Sequence, residues 1–198
     1  MKIIGLTGGV ASGKNFVARI FAKNGATIFD ADKIVHDILI CDEDSILKVS
    51  RHFPQAIIHK KIDRKILGEI VFSDVKKLKI LEEIIHPKVR QKYLEFIKNA
   101  QLQKQKIVVL NIPLLLERQG YNCHKIISLL IPPSIQKRRF LQRKKNETKA
   151  NLEKKFTKII ANQMKNKERK EKSDFVIYTG FSKAHTIAQT RKILNFIF

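Results

Sequence analysis

A glycine-rich segment near the start of the chain constrains the fold more than any other feature. Residues 8–15 have the sequence Gly-Gly-Val-Ala-Ser-Gly-Lys-Asn and fit the pattern G-x-x-x-x-G-K. An apolar run, 2–6, precedes this segment, and an amphipathic stretch from Lys14 to about Asn24 follows it. In such a strand–loop–helix unit, backbone N–H groups and the positive end of the helix dipole converge on phosphate oxygens. The segment therefore predicts a phosphate-binding loop.

The loop also predicts which side chains contact a nucleotide. Lys14 is expected to reach the β- and γ-phosphates. The next position normally holds Ser or Thr, whose hydroxyl binds Mg²⁺, but Asn15 offers a carboxamide oxygen there. Phosphate binding is thus predicted, while Asn15 as a magnesium ligand is left open. The predicted nucleotide-binding residues are Gly8, Gly9, Ala11, Ser12, Gly13, Lys14, Asn15 and Phe16.

Apolar runs rich in β-branched residues predict the strands of a sheet. Stretches with helical character separate these runs, which favours an α/β fold with a parallel sheet covered on both faces. A chain of 198 residues with 43% hydrophobic residues is long enough to form one such domain. The five predicted strands are 2–6, 26–29, 107–110, 126–131 and 175–178.

The remaining segments predict helices. A long stretch from 33 to 106 has helical periodicity, and Pro87 is expected to end a helix after His86. Ser134 is predicted to cap the start of a helix on which Arg139 and Arg143, four residues apart, share one face. A second basic helical run covers about 150–172.

Two carboxylates follow the second predicted strand. Asp30 and Asp32 are expected at the carboxyl edge of the sheet, on the side of the phosphate-binding loop, where open α/β folds bind ligands. A kinase that phosphorylates a hydroxyl needs a carboxylate to orient that hydroxyl and accept its proton. The alternative is that Asp32 only caps the following helix.

The formal net charge of +22 and the isoelectric point near 10.1 raise the question of a nucleic-acid partner. The basic residues are spread along the whole chain, and the basic segments lack the interleaved aromatic residues that stack on bases. Solvated faces and attraction of anionic substrates are therefore favoured over a dedicated nucleic-acid surface. The oligomeric state is left open.

Neither a membrane segment nor a disulfide framework is expected. Nothing in the sequence approaches the roughly 20 apolar residues that span a bilayer, and the apolar stretch at the N-terminus is too short for a signal peptide. Cys41 and Cys123 are far apart and have no second Cys or His at metal-ligand spacing. We expect a cytoplasmic protein with two free thiols.

A series of motifs spread from Leu6 to Gly180 resembles the dephospho-coenzyme A kinases. The combination of Asp-Ala-Asp, His-Pro and Pro-Leu-Leu in this order is much more specific than the phosphate loop alone. In chain order the motifs are Leu6-Thr7-Gly8-Gly9, Asp30-Ala31-Asp32 with His36, Asp63-Arg64 with Leu67-Gly68 and Val71-Phe72, His86-Pro87 with Val89-Arg90, Pro113-Leu114-Leu115 with Glu117, Gln136 with Arg139 and Arg143, Gln163-Met164, and Lys170 with Ser173-Asp174.

The resemblance implies an enzyme that uses ATP and Mg²⁺ to phosphorylate the ribose 3′-hydroxyl of dephospho-coenzyme A, an alcohol group, in the last step of coenzyme A synthesis. It implies Asp32 as the base, with Lys14, Arg139 and Arg143 as further catalytic residues. The two arginines would close over the phosphates as part of a lid. The acceptor side would be lined by Asp30, Asp32, Arg64, His86, Arg90 and Glu117.

The same resemblance implies a fold and a domain organisation. The fold is a three-layer P-loop sandwich with a five-stranded parallel sheet, a helical substrate-binding insertion and a small helical lid. The whole chain, 1–198, would be one domain. Its core would be 1–32, 106–136 and 173–198, its insertion about 33–105 and its lid about 137–172.

Several further positions depart from the family pattern, among them Ala11, Asn111, Lys144 and Tyr178-Thr179-Gly180. Ala11 replaces a usual glycine, which reduces backbone freedom but leaves the loop feasible. Asn111 stands where an acidic residue often precedes the Ile-Pro-Leu-Leu segment, so a carboxylate that orients the metal is replaced by an amide.

The sequence also bears on other functions. The switch and guanine-reading motifs of GTPases are absent from the sequence. Another small-molecule kinase of nucleoside, nucleotide or shikimate type shares the loop but not the His-Pro and Pro-Leu-Leu motifs, and it is the alternative. A basic nucleic-acid-binding protein would leave the loop and the acidic pair without a role. An inactive kinase is a further alternative because of Asn15.

Overall fold

The computed structural model describes residues 1–117, 120–142 and 147–197. Two compact units make up the chain. The first combines Met1–Asp30 with Ala100–Phe198, and the second is Ala31–Asn99. The predicted division into core, insertion and lid stays a prediction.

A five-stranded parallel sheet organises the first unit. Its strands are β1 (Lys2–Gly8), β2 (Thr27–Asp30), β5 (Ile107–Asn111), β6 (Lys125–Leu130) and β7 (Phe175–Tyr178). The spatial order is β2-β5-β1-β6-β7, with every pair parallel. All five residues of β5 are buried, as expected of a central strand covered on both faces. The predicted α/β fold with five parallel strands is confirmed.

Helices cover both faces of this sheet. On one face, α1 (Lys14–Lys23) and α9 (Lys183–Ile197) bury Val17, Phe21 and Leu194 against Ile4 and Leu6 of β1. Side chains alternate between the faces of a strand, so Thr7 projects to the opposite face from Leu6. There it meets the short helix α8 (Asn166–Glu171) through Arg169. The three layers predicted from the sequence are therefore present.

Two predictions for the C-terminal helices are wrong in detail. The helix α6 (Pro133–Gln142) begins before Ser134, and the Gln136 N–H donates to the Pro132 carbonyl at 2.9 Å. Ser134 is therefore inside the first turn and is not its cap, because proline suits the first helical position, where no N–H is needed. The basic run 150–172 forms two helices, α7 (Lys149–Ala161) and α8, separated by 162–165.

The second unit is mainly helical. It contains α2 (Ala31–Cys41), α3 (Glu43–His52), a 3₁₀ turn (Pro54–Ala56), a small hairpin of β3 (Ile57–Ile58) and β4 (Lys61–Ile62), α4 (Arg64–Ser73) and α5 (Val75–Leu102). The last three residues of α5 belong to the first unit.

The predicted break at Pro87 is also wrong. Pro87 lies inside α5, which continues through it for 28 residues in all. An interior proline costs a helix about 3 kcal/mol. Ile85, Val89 and Tyr93 are buried on either side of it, and burying each such side chain contributes about 1.5–3 kcal/mol. Tertiary packing thus outweighs the local preference to end the helix.

The described part of the chain contains no helix that is both long and apolar enough to cross a bilayer. Cys41 is exposed, Cys123 is partly buried, and both are free thiols. Burial raises the pKa of Cys123 to about 11.

Candidate active site

The phosphate-binding loop links the end of β1 to the start of α1. Gly13, just before the helix, has a φ of 92°, a left-handed conformation that glycine adopts without steric cost. Ala11 has a φ of 58° in the same region, and its methyl group is buried against Phe140 and Leu152. The loop therefore adopts its bend with an alanine at a position where a glycine is the easier choice.

Polar side chains of the loop are oriented towards its interior. The Lys14 ammonium donates to the Gly8 carbonyl at 3.0 Å. Ser12 is only 1% exposed, and its hydroxyl has no hydrogen-bond partner among the residues that the structure describes. A buried hydroxyl without a partner is costly. A phosphate oxygen bound in the loop could accept its hydrogen bond.

An amide replaces the expected acid at the end of β5 and contacts two predicted site residues. The Asn111 side-chain N–H₂ donates to Asn15 Oδ1 at 3.0 Å and to Asp30 Oδ2 at 3.1 Å. Asn111 is 1% exposed, and its Oδ1 is buried without a partner in the described part of the chain. The two unusual residues of the sequence, Asn15 and Asn111, are therefore direct neighbours beside Asp30.

This cluster follows from the sheet register. Asp30 and Asn111 are the last residues of adjacent strands β2 and β5 and pair with each other, and Asn111 also pairs with Leu6 of β1. The carboxyl ends of parallel strands meet at one edge, where the loop and α1 begin. The register explains how Asn111 contacts Asn15, although the two residues are 96 positions apart in the sequence.

Several predicted acceptor residues lie in the second unit. Asp32 is exposed in the first turn of α2, and His86 and Arg90 are exposed and four residues apart on α5. Arg64 follows Asp63, whose carboxylate accepts hydrogen bonds from the N–H groups of Lys65 and Ile66 and so caps α4. In this unit the Arg64 guanidinium also contacts Nδ1 of His36.

Glu117, another predicted acceptor residue, takes part in a buried ion pair. Its Oε1 accepts from Arg169 Nη2 at 2.9 Å and from the Met164 N–H at 3.1 Å. Arg169 is 1% exposed and also contacts the Thr7 hydroxyl at 3.5 Å. These contacts join the segment after β5 to α8 and β1.

Sequence reasoning missed Arg169, which is one cation among many in the basic run 150–172. One signal was available in the sequence. Arg169 stands among lysines, and the arginine guanidinium is preferred over the lysine ammonium in buried ion pairs.

Of the two predicted lid arginines, the structure describes Arg139. Arg139 on α6 donates to the backbone carbonyl of Thr179 at 2.7 Å, just after β7. Its side chain thus links α6 to the carboxyl edge of the sheet. Arg143 lies outside the described residues.

Comparison with known proteins shows which family this fold and loop belong to. The sequence model of the family "Dephospho-CoA kinase" matches residues 2–183. The chain belongs to the dephospho-CoA kinase family. A dephospho-CoA kinase of Bartonella quintana is 41% identical over 197 residues, covering 98% of this chain and 97% of that protein.

Solved structures agree with this family assignment. The dephospho-CoA kinase from Campylobacter jejuni superposes with a TM-score of 0.68 at 31% identity, covering 100% of this chain and 98% of the other. The protein TT1252 from Thermus thermophilus superposes with a TM-score of 0.80 at 27% identity, covering 98% and 96%. The resemblance predicted from the motifs is therefore confirmed over nearly the whole chain.

Proposed function

We propose that the protein transfers the γ-phosphoryl group of ATP to the ribose 3′-hydroxyl of dephospho-coenzyme A, giving coenzyme A and ADP. The observation that carries this proposal is the family match over residues 2–183 on a chain whose phosphate loop lies between β1 and α1. The reaction is the last step of coenzyme A synthesis. A cytoplasmic location and the absence of a nucleic-acid partner stay predictions.

The loop would bind the phosphates of ATP through its backbone and Lys14. The N-terminus of α1 would supply backbone N–H groups and the positive end of its dipole. When ATP binds, the Lys14 ammonium would exchange the Gly8 carbonyl for phosphate oxygens, and Ser12 would donate its unpaired hydroxyl. Phosphoryl transfer needs mainly positioning and neutralisation of charge, and these residues supply both.

On the acceptor side, Asp32 would orient the 3′-hydroxyl and accept its proton. Its position in the first turn of a helix is compatible with this role, because the helix dipole stabilises the ionised carboxylate. Asp30 would position the acceptor or a metal, while Arg64, His86 and Arg90 would bind the anionic groups of the acceptor. Glu117 would act through its structural ion pair.

The oxygen donors beside the loop fit a magnesium ion. Asn15, Asp30 and the unpaired Oδ1 of Asn111 present amide and carboxylate oxygens, which Mg²⁺ prefers. Mg²⁺ would neutralise the charge that develops on the phosphates. Arg139 and Arg143 would add positive charge there, Arg139 after leaving the Thr179 carbonyl.

An assay of ADP release tests the acceptor. Dephospho-coenzyme A is compared with adenosine, AMP, uridine and shikimate at equal concentration, each with ATP and Mg²⁺. We expect turnover with dephospho-coenzyme A to exceed that with any other acceptor by at least about 100-fold in kcat/KM, the discrimination expected of a site that binds polar groups of its substrate. A higher kcat/KM for another acceptor would contradict the proposal.

A matched pair of variants tests the nucleotide site. Lys14→Met should abolish turnover, whereas Lys23→Met, an exposed lysine at the other end of α1, should retain it. Equal activity of the two variants would exclude the role of Lys14.

A further inference from the structure

The backbone N–H and carbonyl groups of Val10, within the phosphate loop, each bond to a glutamine side chain. The Val10 N–H donates to Gln163 Oε1 at 3.0 Å, and the Val10 carbonyl accepts from Gln136 Nε2 at 2.8 Å. Gln136 is on α6, and Gln163 lies between α7 and α8. Both backbone polar groups of one loop residue are thus bonded to side chains distant in the sequence, 126 and 153 residues away.

The residue before Val10 is Gly9, whose backbone lies against the same two side chains. A Cβ atom on Gly9 would come within 2.7 Å of Gln136 Nε2 and 3.1 Å of Gln163 Oε1. A side chain at position 9 would therefore require the two glutamine amides to shift from the Val10 backbone. Val10 also packs with Leu141 and Phe156 around the cluster of Ala11, Phe140 and Leu152. Hydrogen bonds and apolar contacts hold the same segment.

Gln163 is itself fixed by its neighbour. The Met164 N–H donates to Glu117, and the Met164 carbonyl accepts from Arg169 Nη2 at 3.2 Å. Arg169 is buried and paired with Glu117. A side chain anchored in this way can define the position of the Val10 N–H, because the backbone beside it has little freedom to move.

We propose that Gln136 and Gln163 are positioning residues that set the shape of the phosphate loop for nucleotide binding. The Val10 N–H bonds to Gln163 and is thereby excluded from the set that binds phosphate. N–H groups nearer the start of α1 form the phosphate site. Gln136 must act as a donor and Gln163 as an acceptor. This inference rests on the proposed function only in that the loop binds a nucleotide.

Substitution of each glutamine by glutamate separates this role from a general effect of charge. Gln136→Glu replaces the donor with a carboxylate facing the Val10 carbonyl, whereas Gln163→Glu keeps an acceptor for the Val10 N–H. Both variants add one negative charge beside the backbone of Val10. Calorimetric titration with ADP should show a dissociation constant about tenfold higher for Gln136→Glu and within about twofold of the wild type for Gln163→Glu, as expected if one hydrogen bond is lost in the first variant only.

The pH dependence of ADP binding provides a second readout. A carboxylate opposite a carbonyl has a raised pKa, and its protonated form can donate a hydrogen bond. The affinity of Gln136→Glu relative to the wild type at the same pH should therefore recover as the pH falls from 7.5 to 5.5. Gln163→Glu carries the same added charge beside Val10 and should show no such recovery, which separates the hydrogen bond from simple charge repulsion.

The possible results of the ADP titrations lead to different conclusions. Equal loss of ADP affinity in both glutamate variants, or an unchanged affinity in Gln136→Glu, would overturn the inference. If Gln136→Glu does not fold, Gln136→Met, which removes the donor without adding charge, replaces it and should weaken ADP binding several-fold. Because ADP binding involves no acceptor, failure of the acceptor assay with the expected binding pattern would reject only the proposed function.

Discussion

At the scale of single residues, Ala11 shows how burial can offset an unfavourable backbone conformation. A left-handed φ costs a non-glycine residue about 1–2 kcal/mol. The Ala11 methyl group is 4% exposed and packs with Phe140 and Leu152, and burying one such carbon contributes about 0.8 kcal/mol. The two effects are of similar size, so alanine in place of glycine leaves the loop nearly as stable.

The proposed role of Asp32 as the base gives the first prediction. We expect Asp32→Asn to lower kcat by about 10²- to 10⁴-fold, since this is the usual contribution of a general base, and to leave ATP binding almost unchanged. Asp30→Asn should have a smaller effect. Asp37→Asn, an exposed position on the same helix, is the control. If Asp32→Asn keeps more than about a tenth of kcat, Asp32 is not the base and only stabilises the first turn of α2 through the helix dipole.

Asn15, which stands where the loop motif normally has Ser or Thr, gives a second prediction. Asn15→Thr restores a hydroxyl and breaks the contact with Asn111. We expect it to lower the Mg²⁺ concentration for half-maximal rate and to leave the KM for dephospho-coenzyme A unchanged, because Mg²⁺ favours short, near-octahedral oxygen ligands. Mg²⁺ titration at saturating substrates measures this.

Asn15→Ala is the control for that titration, because it breaks the same contact without adding a hydroxyl. An identical Mg²⁺ requirement in the Thr and Ala variants would show that position 15 does not contact the metal.

At the scale of elements, α5 shows tertiary packing overriding a local signal. Lys88, next to Pro87, forms ion pairs with Asp42 at 3.3 Å and Asp44 at 3.2 Å, at the start of α3. A hydrogen bond to Ser45, with support from Lys88, lowers the pKa of Asp42. Side chains on both sides of the proline thus hold the helix in place.

We therefore expect Pro87→Ala to stabilise the protein. The substitution restores an N–H donor within α5 and removes the steric conflict of the ring, which together outweigh the greater freedom of the unfolded chain by about 1–2 kcal/mol. The urea concentration at the midpoint of unfolding measures this change in stability. A lower midpoint would show that the proline geometry itself is required for packing.

The start of β7 provides a prediction of pH dependence. Asp174 pairs with Lys125 Nζ at 2.7 Å and accepts from the Ile126 N–H at 2.8 Å. The hydrogen bond from Lys125, with the other contacts, lowers the Asp174 pKa below its ordinary value of 3.8. A lowered pKa stabilises the fold above the unfolded-state value, and this contribution is lost as the pH falls through the folded-state pKa.

Asp174→Asn should accordingly destabilise the protein at pH 7 by about 1 kcal/mol, a small value because the pair is partly exposed. The difference from wild type should shrink below about pH 4, where the wild-type carboxylate is also protonated. Glu168→Gln, which breaks an exposed pair with Lys172, is the control and should have less effect. A difference that does not change with pH would contradict the assignment.

At the scale of the whole molecule, the net charge of +22 should influence association with anionic substrates. We expect kcat/KM for ATP to fall by about three- to tenfold between low and high KCl, with a smaller change in kcat, because salt screens long-range attraction. Added RNA, measured in parallel, tests a dedicated nucleic-acid surface. A kcat/KM that is independent of salt would show that the charge serves solvation alone.

Sequence alone predicted the parts of the fold that depend on local patterns. The phosphate loop and the five strands have such patterns, and the observed strands differ from the prediction by only a few residues at their ends. The prediction that a helix ends before Pro87 is wrong because α5 tolerates this proline through burial of the residues around it. The Asn15–Asn111 contact and the role of Arg169 depend on register and packing between distant segments, which periodicity does not reveal.

Arg169 also has a consequence for how the protein is made. Its contact with Thr7 joins residues 162 positions apart, and β1 is central in the sheet between β5 and β6. During translation, the first strand and its loop leave the ribosome long before the segments that surround them. The loop therefore reaches its final conformation only after nearly the whole chain has emerged, and until then the nascent chain exposes an unpaired apolar strand that other proteins can bind.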